Sequence, residues 1–368
     1  MTVPLPLSPS SLFSSPFPFL VCLRLPFLFP LPMKHDATVP PNHRTFANVT
    51  KPYTEEEKLT KHYFKLENHH HAITHLQPEE LSSSLLAFKS HVSKSIDQLA
   101  SDLKPGSETP LSLTWFGKCF GLLPFINKAF GKLVVDIDYP MSKLEIFSIE
   151  EYLSYTLSLL ELLNSISSRL SNLGQARLSL VHGLTLVENS PSLATKHLKA
   201  IQFQQGYSFT TNFGKDHDDE VRVFSGKEWI VHEAVKEMRS IGFWVCGVML
   251  SCLYGDGKPY MELRKIAGGF DGSLVATLDF KINEQLIEKR PLFSEIKEVN
   301  NVVSNLLVAS DEVRHDAANE LQTKLRVLEK LSDDISKEVD NLFANVMTQR
   351  SELIDGFRLQ KQPQKSSV

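Results

Sequence analysis

The chain has 368 residues with 42% hydrophobic content, enough for one large buried core or two smaller ones. Its formal net charge is −4, and residues 295–358 carry 13 acidic against 8 basic side chains, the wrong sign for a phosphate backbone, so nucleic acid is excluded as a general partner. Four cysteines (Cys22, Cys119, Cys246 and Cys252) form neither a CxxC pair nor a Cys/His zinc pattern, which fits a reducing compartment.

Residues 1–32 hold 26 that are Pro, Leu, Ser or Phe, and the eight prolines forbid a helix through them. Three readings stand for this leader. A translated pyrimidine-rich stretch with Met33 as the working start is preferred, because these residue types share codons that begin with two pyrimidines. A transit peptide is the second, serine-rich and without an acid before Asp36, which would send the protein to the chloroplast. A secretory signal over Phe17–Leu31 is the third, and only then does the Asn48–Thr50 sequon matter. Residues 34–55 are polar and proline-containing, an expected disordered lead-in. A short polar helix is expected over Glu55–Leu76.

From Glu79 to Leu103, apolar residues at Leu81, Leu85, Phe88, Val92, Ile96, Leu99 and Leu103 predict an amphipathic helix, stopped by Lys104-Pro105-Gly106. Leu111–Val135 predicts a second, aromatic-rich helix that Pro124 should kink or split. In Ser148–Pro191 the stripe Ile149, Leu153, Leu157, Leu160, Leu163, Ile166 and Leu170 is helical. Ser148 with Glu151 reads as a capping box. The segment is either two helices meeting near Asn172-Leu173-Gly174 or one long one. Residues 191–204 predict a short helix opening at Pro191. The polar loop Gln205–Gly226 is expected to divide the chain into two helical halves, and Lys227–Tyr254 is the next helix. After the turn at Gly255–Pro259, helices broken at Gly268, Gly269 and Gly272 are expected across 260–290. The run Val313, Ala317, Leu321, Leu325, Leu328, Leu331, Ile335, Val339, Leu342 and Val346 predicts a long helix of coiled-coil type.

The expected fold is therefore all-α: a multi-helix bundle with a long C-terminal amphipathic helix behind a disordered N-terminal leader. The expected divisions are a leader over 1–78, a helical domain over 79–358 and a disordered tail over 359–368.

Two surfaces stand out. Ser240–Gly255 has no charge in 16 residues. It is short for a bilayer, which needs about 20, so Ser240, Phe243, Trp244, Val248, Leu250 and Leu253 mark a core helix or a membrane-touching one. Leu321, Leu325, Leu328, Leu331 and Ile335 mark a stripe that packs back on the bundle or onto a protein partner by helix–helix docking.

Chemistry is sparse. His62, His69, His70, His71 and His75 lack spaced acidic or sulfur ligands and read as solvated surface, not a metal site. Asp136 and Asp138 read as the end of a helix and a turn. Gly214-Lys215, Gly226-Lys227 and Gly257-Lys258 lack the other residues of a P-loop. Asp216, Asp218 and Glu220 lack the glycine and distant glutamate of a calcium loop. No catalytic, cofactor-binding or metal-binding residue is expected, and no cofactor.

Four segments carry a family resemblance: LLAFKSHVSKSIDQLASDL (85–103), LSLTWFGKCFGLLPFINKAFGKLVVDIDYP (111–140), LSNLGQARLSLVHGLTLVENSP (170–191) and SIGFWVCGVMLSCLYG (240–255). Over about residues 80–350 the chain resembles the plant BYPASS-related proteins, which include the ROH-like proteins. The resemblance implies an all-α, non-enzymatic regulator or adaptor in root and shoot development, of the kind whose founding member restrains a root-derived mobile signal. The alternative it implies is a membrane-associated trafficking factor of the ROH-like, exocyst-linked kind. No active-site residues come with it. The leader and the histidine-rich stretch depart from the family pattern, which leaves the compartment open between cytoplasm, membrane surface and chloroplast.

Overall fold

A computed structural model describes residues 78–103, 111–139, 146–202, 226–287 and 291–360. Every regular element among them is an α-helix. In chain order these are α1 (Pro78–Asp102), α2 (Leu113–Asp136), α3 (Ile146–Leu186), α4 (Pro191–His197), α5 (Gly226–Tyr254), α6 (Lys258–Ile266), α7 (Ala276–Ile287), α8 (Ser294–Val308) and α9 (Asp311–Gln360). The leader, the stretch with His62, His69, His70, His71 and His75, most of the loop 205–226 and the last eight residues lie outside the described residues.

The centre of the bundle is α5. A helix apolar on all sides must be enclosed on all sides. Every residue from Ser240 to Leu253 is buried, with α1, α2, α3, α6 and α7 packed around them. The charge-free run Ser240–Gly255 is thus the core helix of the two sequence readings. No helix among the described residues is long and apolar enough to cross a membrane.

Helix α2 starts where its orphan amides find acceptors. The Ser112 side chain accepts from Trp115 N at 3.1 Å, and the Glu295 carboxylate of α8 accepts from Leu113 N at 3.0 and 3.1 Å. Pro124 does not split α2: the helix runs through it, with the proline exposed.

The segment around Gly174 resolves as one helix. At 41 residues α3 is about 60 Å long, and the 50-residue α9 is about 75 Å. The two run antiparallel. Arg350 of α9 donates to the Leu153 carbonyl and the Thr156 hydroxyl near the start of α3. Arg177 pairs with Glu329 at 2.7 Å further along, and Glu188 with His315 at 3.5 Å near the far end. Helix α8 packs along the N-terminal half of α9, joined by Lys324–Glu298 at 2.7 Å.

The capping box at Ser148 is a misreading. Helix α3 begins two residues earlier, at Ile146, so Ser148 lies in its first turn. Its side chain is fully buried and its Oγ has no hydrogen-bond partner. Glu151 turns to His232 of α5, with Oε2 2.9 Å from Nδ1. A serine and a glutamate three apart fit a cap in sequence, but burial of the serine among apolar neighbours overrode that local pattern.

The stripe on α3 also differs from expectation. Leu157 is exposed and Leu153 partly so, while Tyr152, Tyr155, Thr156 and Leu159 are buried. The early turns of α3 face α5 on one side and α9 on another, so a single stripe underestimates the buried arc. Helix α8 was absent from the sequence expectation, although Ile296, Val299, Val303 and Leu306 step by three and four and are all buried.

Candidate interaction groove between α3 and α9

Ser240, Phe243, Trp244, Val248, Leu250 and Leu253 all lie in the core and present no outer face. The second predicted surface takes the packed-back one of its two readings. Leu321, Leu325, Leu328 and Ile335 are buried and Leu331 is half-buried, packed against the bundle. A stripe of this width on a 50-residue helix is satisfied by α2, α3 and α8, which leaves it unavailable as an exposed partner seam.

An open concave surface lies beside that seam. A cleft of about 500 Å³ runs between the C-terminal half of α3 and the N-terminal half of α9. Leu178, Val181, Leu184, Ala318 and Leu325 give it an apolar floor. Leu178 is 50% exposed on this floor, a large apolar side chain left to water. Charged groups sit at both ends. Arg177, Arg326 and Glu329 lie at one end, and Glu188 and His315 at the other. The antiparallel pairing of α3 with α9 makes this arrangement, because it brings position 177 beside 329 and position 188 beside 315.

Sequence reasoning missed this groove. Leu178 falls off the main stripe of α3, and an apolar residue off the stripe was the one available signal.

Asp279 of α7 and Glu237 of α5 are committed to structure. Asp279 of α7 is buried; its Oδ1 accepts from Trp244 Nε1 at 3.1 Å and from the Tyr260 hydroxyl at 2.6 Å, and Arg264 approaches Oδ2 at 3.4 Å. Burial pushes the Asp279 carboxyl above its usual range, against the downward pull of Tyr260, Arg264 and Trp244. This network fixes α6 and α7 onto α5. Glu237 does similar work, with Oε2 accepting from Leu274 N at 3.1 Å and Oε1 3.2 Å from Lys89 Nζ.

Cys119, Cys246 and Cys252 are free and buried. Burial raises all three thiols, Cys246 to about 12, so they stay protonated and behave as small apolar groups. The aromatics of α2 are core residues. Trp115 stands edge-on to Trp244, Phe116 to Phe293, and Phe130 stacks on Tyr152. Asp136 ends α2 and Asp138 occupies a turn at φ 47°, its carbonyl accepting from Lys227 Nζ at 2.9 Å. No group of three or more metal-ligating side chains occurs among the described residues.

The chain is similar to the Arabidopsis thaliana protein named Protein BPS1, chloroplastic, at 22% identity over 300 residues, which cover 76% of this chain and 86% of that protein. This likeness supports the BYPASS-related resemblance carried by the four helical segments. No protein-family model matches the chain. No solved structure matches it either.

Proposed function

We propose that the chain is a non-enzymatic helical adaptor in plant root and shoot development that seats an amphipathic helix of a partner protein in the α3–α9 groove. The observation that carries the docking part is the half-exposed Leu178 on an apolar floor between two antiparallel helices. A third helix laid along such a floor buries that surface by the ordinary helix-in-groove mode. Charge complementarity specifies the occupant further. With Arg177 paired to Glu329, Arg326 gives that end its net positive charge; the occupant's acidic end lies toward it and its basic end toward Glu188. The developmental part is supported by the likeness to Protein BPS1.

The compartment belongs to the same proposal. The relative's name places that protein in the chloroplast, and residues 1–32 are serine-rich with no acid before Asp36. A fluorescent protein fused behind residues 1–32 goes to plastids on this reading; a diffuse cytoplasmic signal contradicts it. The trafficking alternative needs a contact other than Ser240–Leu253, which are buried in the bundle.

Grafting tests restraint of a root-derived mobile signal. Wild-type shoots on roots lacking this protein should arrest. Normal growth of those shoots would exclude that role.

A further inference from the structure

Gly183, on the last full turn of α3, brings the end of α4 unusually close. A Cβ built there would lie 2.9 Å from the Leu198 side chain and 3.1 Å from the His197 Cβ, so both would have to shift to admit it. The absent side chain lets the chain after α4 lie directly on α3. Two imidazoles meet as a result. His182, exposed on α3, and His197, half-buried in the last turn of α4, have ring centroids 4.6 Å apart with the planes at 79°.

We propose that His182 and His197 form a two-histidine site for a divalent transition-metal ion, with copper(II) and nickel(II) preferred over zinc(II). Metal–nitrogen bonds of about 2.1 Å place two ligating rings about 4.6 Å apart when the angle at the metal is a right angle, and about 5.3 Å apart when it is tetrahedral. The observed 4.6 Å lies within this chelating range, and for imidazole nitrogens copper(II) leads the divalent affinity order. The edge-to-face stance is converted by rotating His182 about χ2, a broad torsion for histidine and unhindered at an exposed position. Two protein ligands leave the remaining positions to water. The ion bridges α3 to the seven-residue α4 across the close approach that Gly183 permits. Val181, Leu184 and Thr185 on the same turns line the α3–α9 groove. The ion therefore steadies one wall of that groove.

The test uses the full-length, untagged chain and its thermal unfolding with copper(II) or nickel(II) chloride. A site that bridges two folded elements binds only the native state, so it raises Tm by about 5 °C at a hundredfold excess over Kd. The histidine run at 69–71 is the control for metal taken up elsewhere on the chain. Changing His69, His70 and His71 together to Gln should leave the shift in place. His182→Asn and His197→Asn should each abolish it while leaving the metal-free Tm within 1–2 °C of the parent, roughly the effect of a surface change. A shift that survives either single change, or that vanishes with the 69–71 change, overturns the site; so does the absence of any shift in the parent chain.

Discussion

The Arg177 guanidinium of α3 lies 2.7 Å from the Glu329 carboxylate of α9, across 152 residues of sequence. With Arg350 at Leu153 and Thr156, this pair shows that the two longest helices run antiparallel through the bundle. The pair is partly exposed and contributes little stability itself, about 1 kcal/mol or less. Its value is positional, since it marks one end of the groove whose floor holds Leu178.

Two leucines of that groove should respond oppositely to charge. Leu325 is 1% exposed and Leu178 50%. Leu325→Asp buries an unpaired carboxylate and should destabilise by about 3–5 kcal/mol, while Leu178→Glu should stay within about 1 kcal/mol of the parent. Urea unfolding of both variants checks this. Equal stability of the two would contradict the assignment of Leu325 to the core.

Ser148 distinguishes the two readings of the start of α3. A capping serine changed to alanine costs about 1 kcal/mol. The Ser148 hydroxyl is instead buried without a partner. Ser148→Ala removes a desolvated group and should be neutral or stabilising by up to about 1 kcal/mol. A loss in the denaturation midpoint would restore the cap.

Two glycines separate helix continuity from helix packing. A Cβ at Gly174, mid-way along α3, meets nothing within 4 Å. Gly174→Ala should stabilise by about 0.5–1 kcal/mol, the helix-propensity difference. A Cβ at Gly242 of α5 would lie 2.8 Å from the Tyr155 hydroxyl. Gly242→Ala should cost about 1–3 kcal/mol through overpacking where α5 crosses α3. Calorimetric Tm values of both variants provide the measurement.

His232 makes one contact between α5 and α3 dependent on pH. Its hydrogen bond to Glu151 raises its pKa; burial lowers it, Glu151 and Glu233 raise it through charge, and Lys236 lowers it. A raised histidine pKa means that the folded state holds the proton more tightly. The stabilisation is complete below the unfolded value of about 6.5 and is lost as pH rises through the higher folded value. His232→Gln should flatten this part of the stability profile between pH 5.5 and 8.5. An unchanged slope would show that the pair is not responsible.

The helical elements were legible because their packing is written locally. Leu85, Phe88, Val92, Ile96 and Leu99 repeat at helical spacing and are all buried, and the charge-free turns of α5 needed enclosure. Helix α8 went unread because its run Ile296–Leu306 sits between polar residues and lacks a side-chain cap. The groove was illegible for a different reason. Leu178 and Ala318 become neighbours only through the pairing of α3 with α9, which no local spacing encodes. The stripe Leu321–Ile335 was read correctly as amphipathic. Which surface covered it was a tertiary fact, and α2, α3 and α8 supply that cover. His182 and His197 likewise meet because Gly183 admits a close approach between elements.

The most direct test of the groove as the working surface is rescue of plants lacking this protein. Leu178→Glu leaves the core and the Arg177–Glu329 pair in place but puts a charge on the groove floor. Wild-type protein should restore root and shoot growth, and Leu178→Glu at equal abundance should not. Full rescue by Leu178→Glu would contradict the account.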